Sequence, residues 1–412
     1  MPDIIPMSKK ELFCYEIIQQ TLQRKLNGTE AAIILGVTSR HVRRLKQKVK
    51  SDGAKALVHA LRGRQGNRRL PDAERTRIRE LVSERYLDFT PTFASEKLLE
   101  QHRIDHDPKT IQTIMVGAGL WKQKRTKQAV HRAWRERRPH YGELIQFDGS
   151  YHHWLEDRDG TGEMCLLAAI DDATSAVTDA QFADHEGVFP VFGFWKRYVA
   201  TIGKPLAIYL DKFSTYHMNH PLAKENPDTL TQFQRAMKDL RVEVIPANSP
   251  QAKGRVERLF GTLQDRLVKE LRLHNISTKD KANEFLKKIF IPKFNAQFAV
   301  TPQSHGNVHR QLSALETRHL PSIFSKHTER TVQNDFTVSF HSQWFQLTAN
   351  QPVTVCKQDI VTIEEHLDGT IKIQLRAKYL NYKPIAKNQS RPKQIPWVLA
   401  ANATPADISI SG

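Results

Sequence analysis

The chain has 412 residues, with 62 Lys plus Arg against 44 Asp plus Glu and a formal net charge of +18. At roughly 100–200 residues per domain this is a chain of about two to four domains, and the surplus of cations marks a partner that is a polyanion, nucleic acid before an acidic membrane. Cys14, Cys165 and Cys356 are far apart without CxxC spacing, which excludes a disulfide framework and a cysteine zinc site and fits the cytoplasm; no run reaches the ~18 apolar residues of a membrane span, and the first residues lack the apolar stretch of a signal peptide.

Residues 1–60 read as a small helical domain. Leu12, Tyr15, Ile18, Leu22 and Leu26 recur at helical spacing, and Ala31, Ala32 and Leu35 form a second, shorter stripe. Gly36 supplies a turn, and Thr38 or Ser39 caps a helix that carries Val42 and Leu45 inward and Arg40, His41, Arg43, Arg44, Lys46 and Lys48 along its other faces. Helix, glycine turn and basic helix make a helix-turn-helix, whose second helix enters the major groove of double-stranded DNA.

Residues 61–140 open on a basic linker, RGRQGNRRLP, placed to touch phosphates. A helix capped by Asp72 follows, then helices at Thr92–Leu99 and from Pro108 to Met115, with Lys109 and Thr110 as DNA contacts. This reads as a second helix-turn-helix ending in the basic arm WKQKRTKQAVHRAWRERRPH.

From residue 141 to 300 the texture is α/β. ELIQFDGSYHHWL, EMCLLAAIDDAT, AVTDAQFAD, PLAIYLD and VEVIPA are short β-type runs, and helical stretches separate the later ones. A long helix then runs from SPQAKGRVER. Residues 301–330 are a linker. Residues 331–386 alternate apolar and polar positions around an Asp368-Gly369 hairpin turn, as expected of a small all-β barrel. Residues 387–412 read as a flexible tail.

Three acids stand at positions where carboxylates can converge. Asp148 follows the apolar run ELIQF, Asp211 ends PLAIYL, and Glu257 lies near the start of the long helix. Strand ends and a facing helix are where α/β sheets build their sites. Attack on a phosphodiester places negative charge on the entering and leaving oxygens, and two divalent ions about 3.5–4 Å apart stabilise both. Mg2+ or Mn2+ with oxygen ligands is therefore the expected cofactor, as two ions. Taken singly, an Asp at a strand end is more often a turn or cap. Lys253, Arg255 and Arg258 beside Glu257 strengthen the reading and join the expected DNA contacts. Asp171 and Asp172 also end an apolar strand and could look catalytic. His152 and His153 lack partners at zinc-ligand spacing, and the His152–His153–Trp154 group fits core packing or base stacking.

QFDGSYHHWL, AIDDATS, IYLDKFSTY and NSPQAKGRVERLFGTLQDRL resemble the DDE transposases of bacterial insertion sequences, within the retroviral-integrase superfamily, and the likeness is to the ISNCY group. It covers nearly the whole chain. The resemblance implies an RNase H-like catalytic core, Mg2+ or Mn2+, and transposon-end DNA as substrate. The family's first Asp, second Asp and Glu fall on Asp148, Asp211 and Glu257, which would be both the catalytic residues and the metal ligands. The same resemblance implies that Asp171 and Asp172 support the strand instead. The sequence departs from the pattern twice. Its second spacing is 257 − 211 = 46 where about 35 is common, as if a loop around MNHPLAKENPDTL were inserted. Gln264 stands where relatives often carry a cation.

The expected fold is thus multidomain: all-α helix-turn-helix domains, an α/β core and a small all-β barrel. The expected function is DNA cleavage and strand transfer by a homo-oligomer, at least a dimer, in the cytoplasm and on the nucleoid. One alternative is a catalytically silent repressor derived from a transposase, against which the retained acids speak. The other is an RNase H-type nuclease, against which the two helix-turn-helix units speak.

Overall fold

The computed structural model describes residues 5–59, 62, 70–122, 136–158, 160, 162–211, 226–247, 254–385 and 398–399, with only the backbone of 211, 226–231, 246–247 and 398–399. The chain forms two compact units, Met1–Gln123 and Lys124–Gly412. Most of the linker at 62–71 and of the basic arm, the residues 212–225 that hold most of the expected insertion, Lys253, and the tail apart from 398–399 lie outside the described residues.

In the first unit, α1 (Lys9–Leu22) and α2 (Gly28–Leu35) each start on a capping box, Ser8 with Glu11 and Asn27 with Glu30. Gly36, at φ +62°, closes α2 in the left-handed conformation that a side chain would resist. Thr38 caps α3 (Ser39–Asp52), its side chain accepting from the His41 amide at 3.3 Å. Ile17, Ile18, Ala31, Ala32, Val42 and Val49 form the common core. α4 (Asp72–Arg85), α5 (Pro91–His102) and α6 (Pro108–Gly117) bury Ile78, Val82, Leu98, Ile111 and Met115, with Phe89 stacked on Phe93 at 4.9 Å. Asp72 is not the cap of α4 that the sequence suggests. Pro71 holds that position without a side-chain bond, and Asp72 sits in the first turn, where its charge favours the helix dipole.

The second unit is built on a five-stranded mixed sheet. Its strands are β1 (Leu144–His152), β2 (Met164–Asp171), β3 (Val177–Ala183), β4 (Ala207–Asp211) and β5 (Glu243–Ala247), in the order β3-β2-β1-β4-β5. β1, β2 and β3 pair antiparallel, whereas β4 runs parallel to β1 and β5 parallel to β4. Alternation along the strands sends Ile145, Phe147, Leu167 and Ala169 to one face, against α7 (Val188–Thr201) and α8 (Asn226–Asp239). Leu166, Ala168, Ile170 and Phe182 face the other way, against α9 (Gly254–Leu273), α10 (Lys279–Phe285) and α11 (Ile291–Phe298). Every residue of β2 is buried, as a strand covered on both faces requires.

The free edge of β3 is closed by side-chain amides. Asn283 accepts from the Phe182 amide at 2.7 Å and donates to its carbonyl at 3.2 Å, and Asn295 does the same for Val177 at 2.8 and 2.9 Å. Two asparagines thus take the hydrogen bonds that would otherwise recruit another strand.

After α12 (Ala314–Ile323) the chain is all β: β6 (Lys326–Thr331), β7 (Thr337–Phe340), β8 (Gln343–Leu347), β9 (Val355–Cys356), β10 (Ile360–Glu365), β11 (Ile371–Leu375), β12 (Lys378–Tyr379), β13 (Tyr382–Ile385) and β14 (Val398–Leu399). These form ladders β12-β11-β10-β6, β13-β8-β7 and β14-β9, with one core of Val338, Phe345, Val361, Ile363 and Ile373 among others. Gly369, at φ +79°, makes the β10–β11 turn, and Asp368 accepts from the Thr370 amide at 2.9 Å.

The segment between α11 and α12 is fastened to the sheet domain by polar contacts. His309 is buried, with Nε2 3.0 Å from the Tyr198 hydroxyl and Nδ1 2.6 Å from Asn307 Oδ1. Lys204 Nζ donates to Glu316 Oε1 at 2.6 Å. Burial pushes the His309 imidazole down to about 4. For Glu316, burial works the other way, but the bonds from Lys204 and Ser313 outweigh it and hold the carboxyl at about 2. An unfolded chain takes up a proton on histidine near pH 6.5, before the folded one does, and on glutamate near 4.3. Glu316 therefore stabilises the fold at neutral pH and loses that contribution as pH falls from about 4.3 towards 2, while His309, buried as the neutral ring, makes the fold progressively less stable as pH falls from about 6.5 towards 4. Thermal midpoints should fall across pH 6.5 to 4, and His309→Gln should flatten that fall; an equal slope in the variant would contradict the assignment.

Candidate active site

Asp148 lies where β1 changes neighbours. It stays paired with β2, opposite Ala168, while the described pairing with β4 ends at Gln146↔Tyr209. The β1–β4 register has a constant offset, 207 − 144 = 63, and 211 − 148 is also 63. Asp148 and Asp211 therefore stand at one level on adjacent parallel strands, two residues beyond the last pair. β4 continues along β5 to Asp211↔Ala247. Asp148 thus sits where β1 loses its pairing with β4, and Asp211 ends β4, at the kind of place where an α/β sheet builds a site.

The third acid arrives on α9, which lies along β1. Near its start the Val256 amide donates to Gln146 Oε1 at 3.3 Å, and two turns on Gln264 Nε2 donates to Ser150 Oγ at 3.2 Å. Eight helical residues rise about 12 Å and four strand residues about 13 Å, so helix and strand keep step. Glu257 follows Val256 directly, in the exposed first turn, level with the stretch of β1 that holds Asp148. Val256, Leu259, Phe260 and Leu263 form the buried stripe that holds the helix down.

No protein-family model matches the chain. A Sinorhizobium fredii protein, y4bF, that bears the name of a transposase is 37% identical over 387 residues, which is 94% of this chain and 83% of that protein. The transposase for insertion sequence IS1202 of Streptococcus pneumoniae is 27% identical over 91% of this chain and 86% of its own length. The chain belongs to the transposases. Among solved structures it is similar to a simian T-cell lymphotropic virus intasome in complex with PP2A regulatory subunit B56 gamma, with TM-score 0.31 and 13% identity over 76% of this chain and 100% of that one. It is also similar to the HTLV-2 integrase catalytic core domain in complex with magnesium, with TM-score 0.25 and 21% identity over 36% of this chain and 88% of that one.

Near Asp148 and Glu257 the transposase builds a polar frame that the sequence reading did not resolve. Asp172, wholly buried, accepts from Arg255 Nη1 at 2.7 Å, from Gln146 Nε2 at 2.7 Å and from the Arg138 amide at 2.9 Å. Its neighbour Asp171 accepts from Gly142 and from Thr174, shaping the turn after β2, and burial pushes its carboxyl upward. On the opposite face of β1, Gly149 leaves room for a carboxylate: a Cβ there would stand 2.6 Å from Glu186 Oε2 and 3.0 Å from Cys165 Sγ. Burial, then Glu186 and Asp148, raises the Cys165 thiol.

The other expected site residues fall into place unevenly. Arg40, Arg43, Arg44 and Lys48 are exposed on α3, and Lys109 is exposed on α6 beside half-buried Thr110. His41 is half-buried with its Nδ1 2.9 Å from Arg44 Nη2, and Lys46 donates to the Thr21 carbonyl at 3.2 Å. Arg258 is exposed one residue beyond Glu257 and donates to the Gly254 carbonyl at 2.6 Å. Arg255 has a different partner from the phosphate the sequence suggested, namely Asp172. Trp154 is fully buried and packs on Phe182, with His152 against its edge, so it belongs to the core and not to a stacking surface. His153 pairs with Asp157 at 2.8 Å. Gln264 bonds to Ser150 instead of standing clear as a DNA-contacting group. Among the described residues no three His, Cys, Asp or Glu side chains are gathered as an ion would need; the Asp211 side chain lies outside them.

Proposed function

We propose that this transposase binds the terminal inverted repeats of its element and cleaves and joins DNA strands at Asp148, Asp211 and Glu257. The observation that supports it best is the common level of Asp148 and Asp211 on adjacent strands with the first turn of α9 anchored beside them. The donor set fits a hard divalent cation, since all three side chains offer carboxylate oxygens and none offers sulfur or nitrogen. Two Mg2+ or Mn2+ ions bound there would supply Lewis acidity to the attacking and leaving oxygens of the phosphodiester. Asp148 and Asp211 would hold them from the sheet, and Glu257 from the helix. Arg258, exposed in the same turn, would meet the scissile strand's phosphates, with Lys253 as a further member of that basic stretch.

In this reading the sheet domain, residues 141–300, is the RNase H-like core. Residues 1–60 and 61–140 are helix-turn-helix domains that read double-stranded DNA through Arg40, His41, Arg43, Arg44, Lys46 and Lys48 and through Lys109 and Thr110. Residues 331–386 close into a small barrel beyond the 301–330 linker. Among the described residues no helix is long and apolar enough to cross a membrane, and the place of action would be the nucleoid in the cytoplasm.

Asp148→Asn, Asp211→Asn and Glu257→Gln should each lower end cleavage and joining by roughly 10³-fold or more in a magnesium assay with linear DNA carrying the element's ends. Gel-shift affinity for those ends should stay unchanged. Near-normal joining by any one of the three would remove that residue from the site.

A transposon has two ends and each chain one such site, so the active complex would be a homo-oligomer, at least a dimer. Mixing an Asp148→Asn chain with one lacking residues 1–135 should then restore some joined product from two inactive parents. Joining of both ends by a single chain, with no complementation in any mixture, would contradict this.

A further inference from the structure

We infer that Asp172 is a positioning residue of the strand-transfer site: it sets where Glu257 stands relative to Asp148. The inference rests on the reading of Asp148, Asp211 and Glu257 as the metal-binding acids. Asp172 itself is wholly buried and cannot touch DNA. Its carboxylate instead joins the two elements that carry those acids. One oxygen, Oδ1, accepts both from Gln146 on β1 and from Arg255 on α9, each at 2.7 Å. Gln146 is two residues before Asp148, and Arg255 is two residues before Glu257. The same Gln146 amide closes the link directly, since its Oε1 accepts from the Val256 amide at 3.3 Å. Gln146 is buried too, so its amide is committed in both directions and its orientation is fixed.

The charge at this hub is matched. The Arg255 side chain, 12% exposed, brings a cation to an interior carboxylate, and removing either one leaves the other's charge buried. The hub is also the point where the chain enters the sheet domain. Arg138 donates its amide to Asp172 Oδ2 at 2.9 Å, and the Arg137 guanidinium bonds the Ala173 carbonyl at 3.0 Å and Ser175 Oγ at 2.8 Å. One buried carboxylate thus fixes the entering chain, the strand of Asp148 and the helix of Glu257 together. Such a frame works as a partner behind metal ligands does, by holding them in place.

The test uses the full chain with duplex end DNA and Mn2+ as the probe ion. Three quantities are read: affinity for the ends, the Mn2+ concentration that gives half of the maximal thermal stabilisation, and the single-turnover rate of strand transfer. Asp172→Asn should keep end affinity, weaken Mn2+ binding by roughly 10–100-fold and slow strand transfer on the order of 10²-fold. Gln146→Met leaves the Asp172–Arg255 pair intact and should move Mn2+ binding and rate in the same direction, which keeps the question open to measurement if Asp172→Asn does not fold. The double variant Asp172→Asn with Arg255→Gln should be no slower than the slower single, because both changes cut one link. A folded Asp172→Asn or Gln146→Met chain with wild-type Mn2+ binding and rate would overturn the inference, as would effects that multiply in the double variant. Asp148→Asn in the same assays separates the two ideas. If it too is normal, the metal-site reading has failed; if it alone is inactive, only the role of Asp172 has.

Discussion

The Val256 amide bonded to the Gln146 side chain, with the Asp172 carboxylate behind both, fixes where α9 begins along β1. A helix laid on a sheet can slide by a turn while keeping its apolar stripe covered, because Leu259, Phe260, Leu263 and Leu267 present similar surfaces. Apolar packing therefore holds α9 down but sets its register weakly. The polar link sets the register, because an unmet amide, carboxylate or guanidinium in that interior is costly. The position of Glu257, and with it any chemistry that needs three acids together, depends on this choice.

The rest of the second unit gives that link a firm base. Aromatic packing of Phe147, Phe194 and Trp195 beneath the sheet and the aliphatic stripe of α9 above it hold β1 from both faces. Asn283 and Asn295 finish the exposed edge of β3 with hydrogen bonds, which lets the sheet end there without offering a template to another strand. At the other side, Arg235 of α8 donates to the Ile323 and Ser325 carbonyls, and Gln232 exchanges two hydrogen bonds with the backbone of His327. These bonds seat the start of the β-rich region on the sheet domain.

Much of the element order was legible, because the periods are clean. The switch from helical spacing to short β-type runs near residue 143, the glycine turn at Gly36 and the Asp368-Gly369 hairpin all mark real boundaries. Asp211 ends β4 and Glu257 lies in the first turn of α9, as their places in the sequence suggest, whereas Asp148 lies in the middle of β1; the level at which Asp148 and Asp211 stand was not legible, since a 63-residue offset between strands is set by tertiary packing. Local rules failed where a longer-range partner took over. Asp72 looks like a cap because Asp so often is one, yet Pro71 fixes the helix start. Arg255 looks like a phosphate ligand within a basic run, yet a buried carboxylate from another strand claims it. Asn283 and Asn295 carry no sequence signal at all, because an edge-closing amide is known only once its strand is in place.

In the proposed reading, the level placement of Asp148 and Asp211, with α9 anchored beside them, makes one cation site. Its most direct measurement is anomalous scattering from crystals of the protein with end DNA grown in Mn2+. The expected result is a manganese peak between Asp148 and Asp211, about 2.0–2.2 Å from a carboxylate oxygen of each, with Glu257 within reach of it or of a second peak. Manganese bound elsewhere, with both aspartates ligating nothing, would contradict the account.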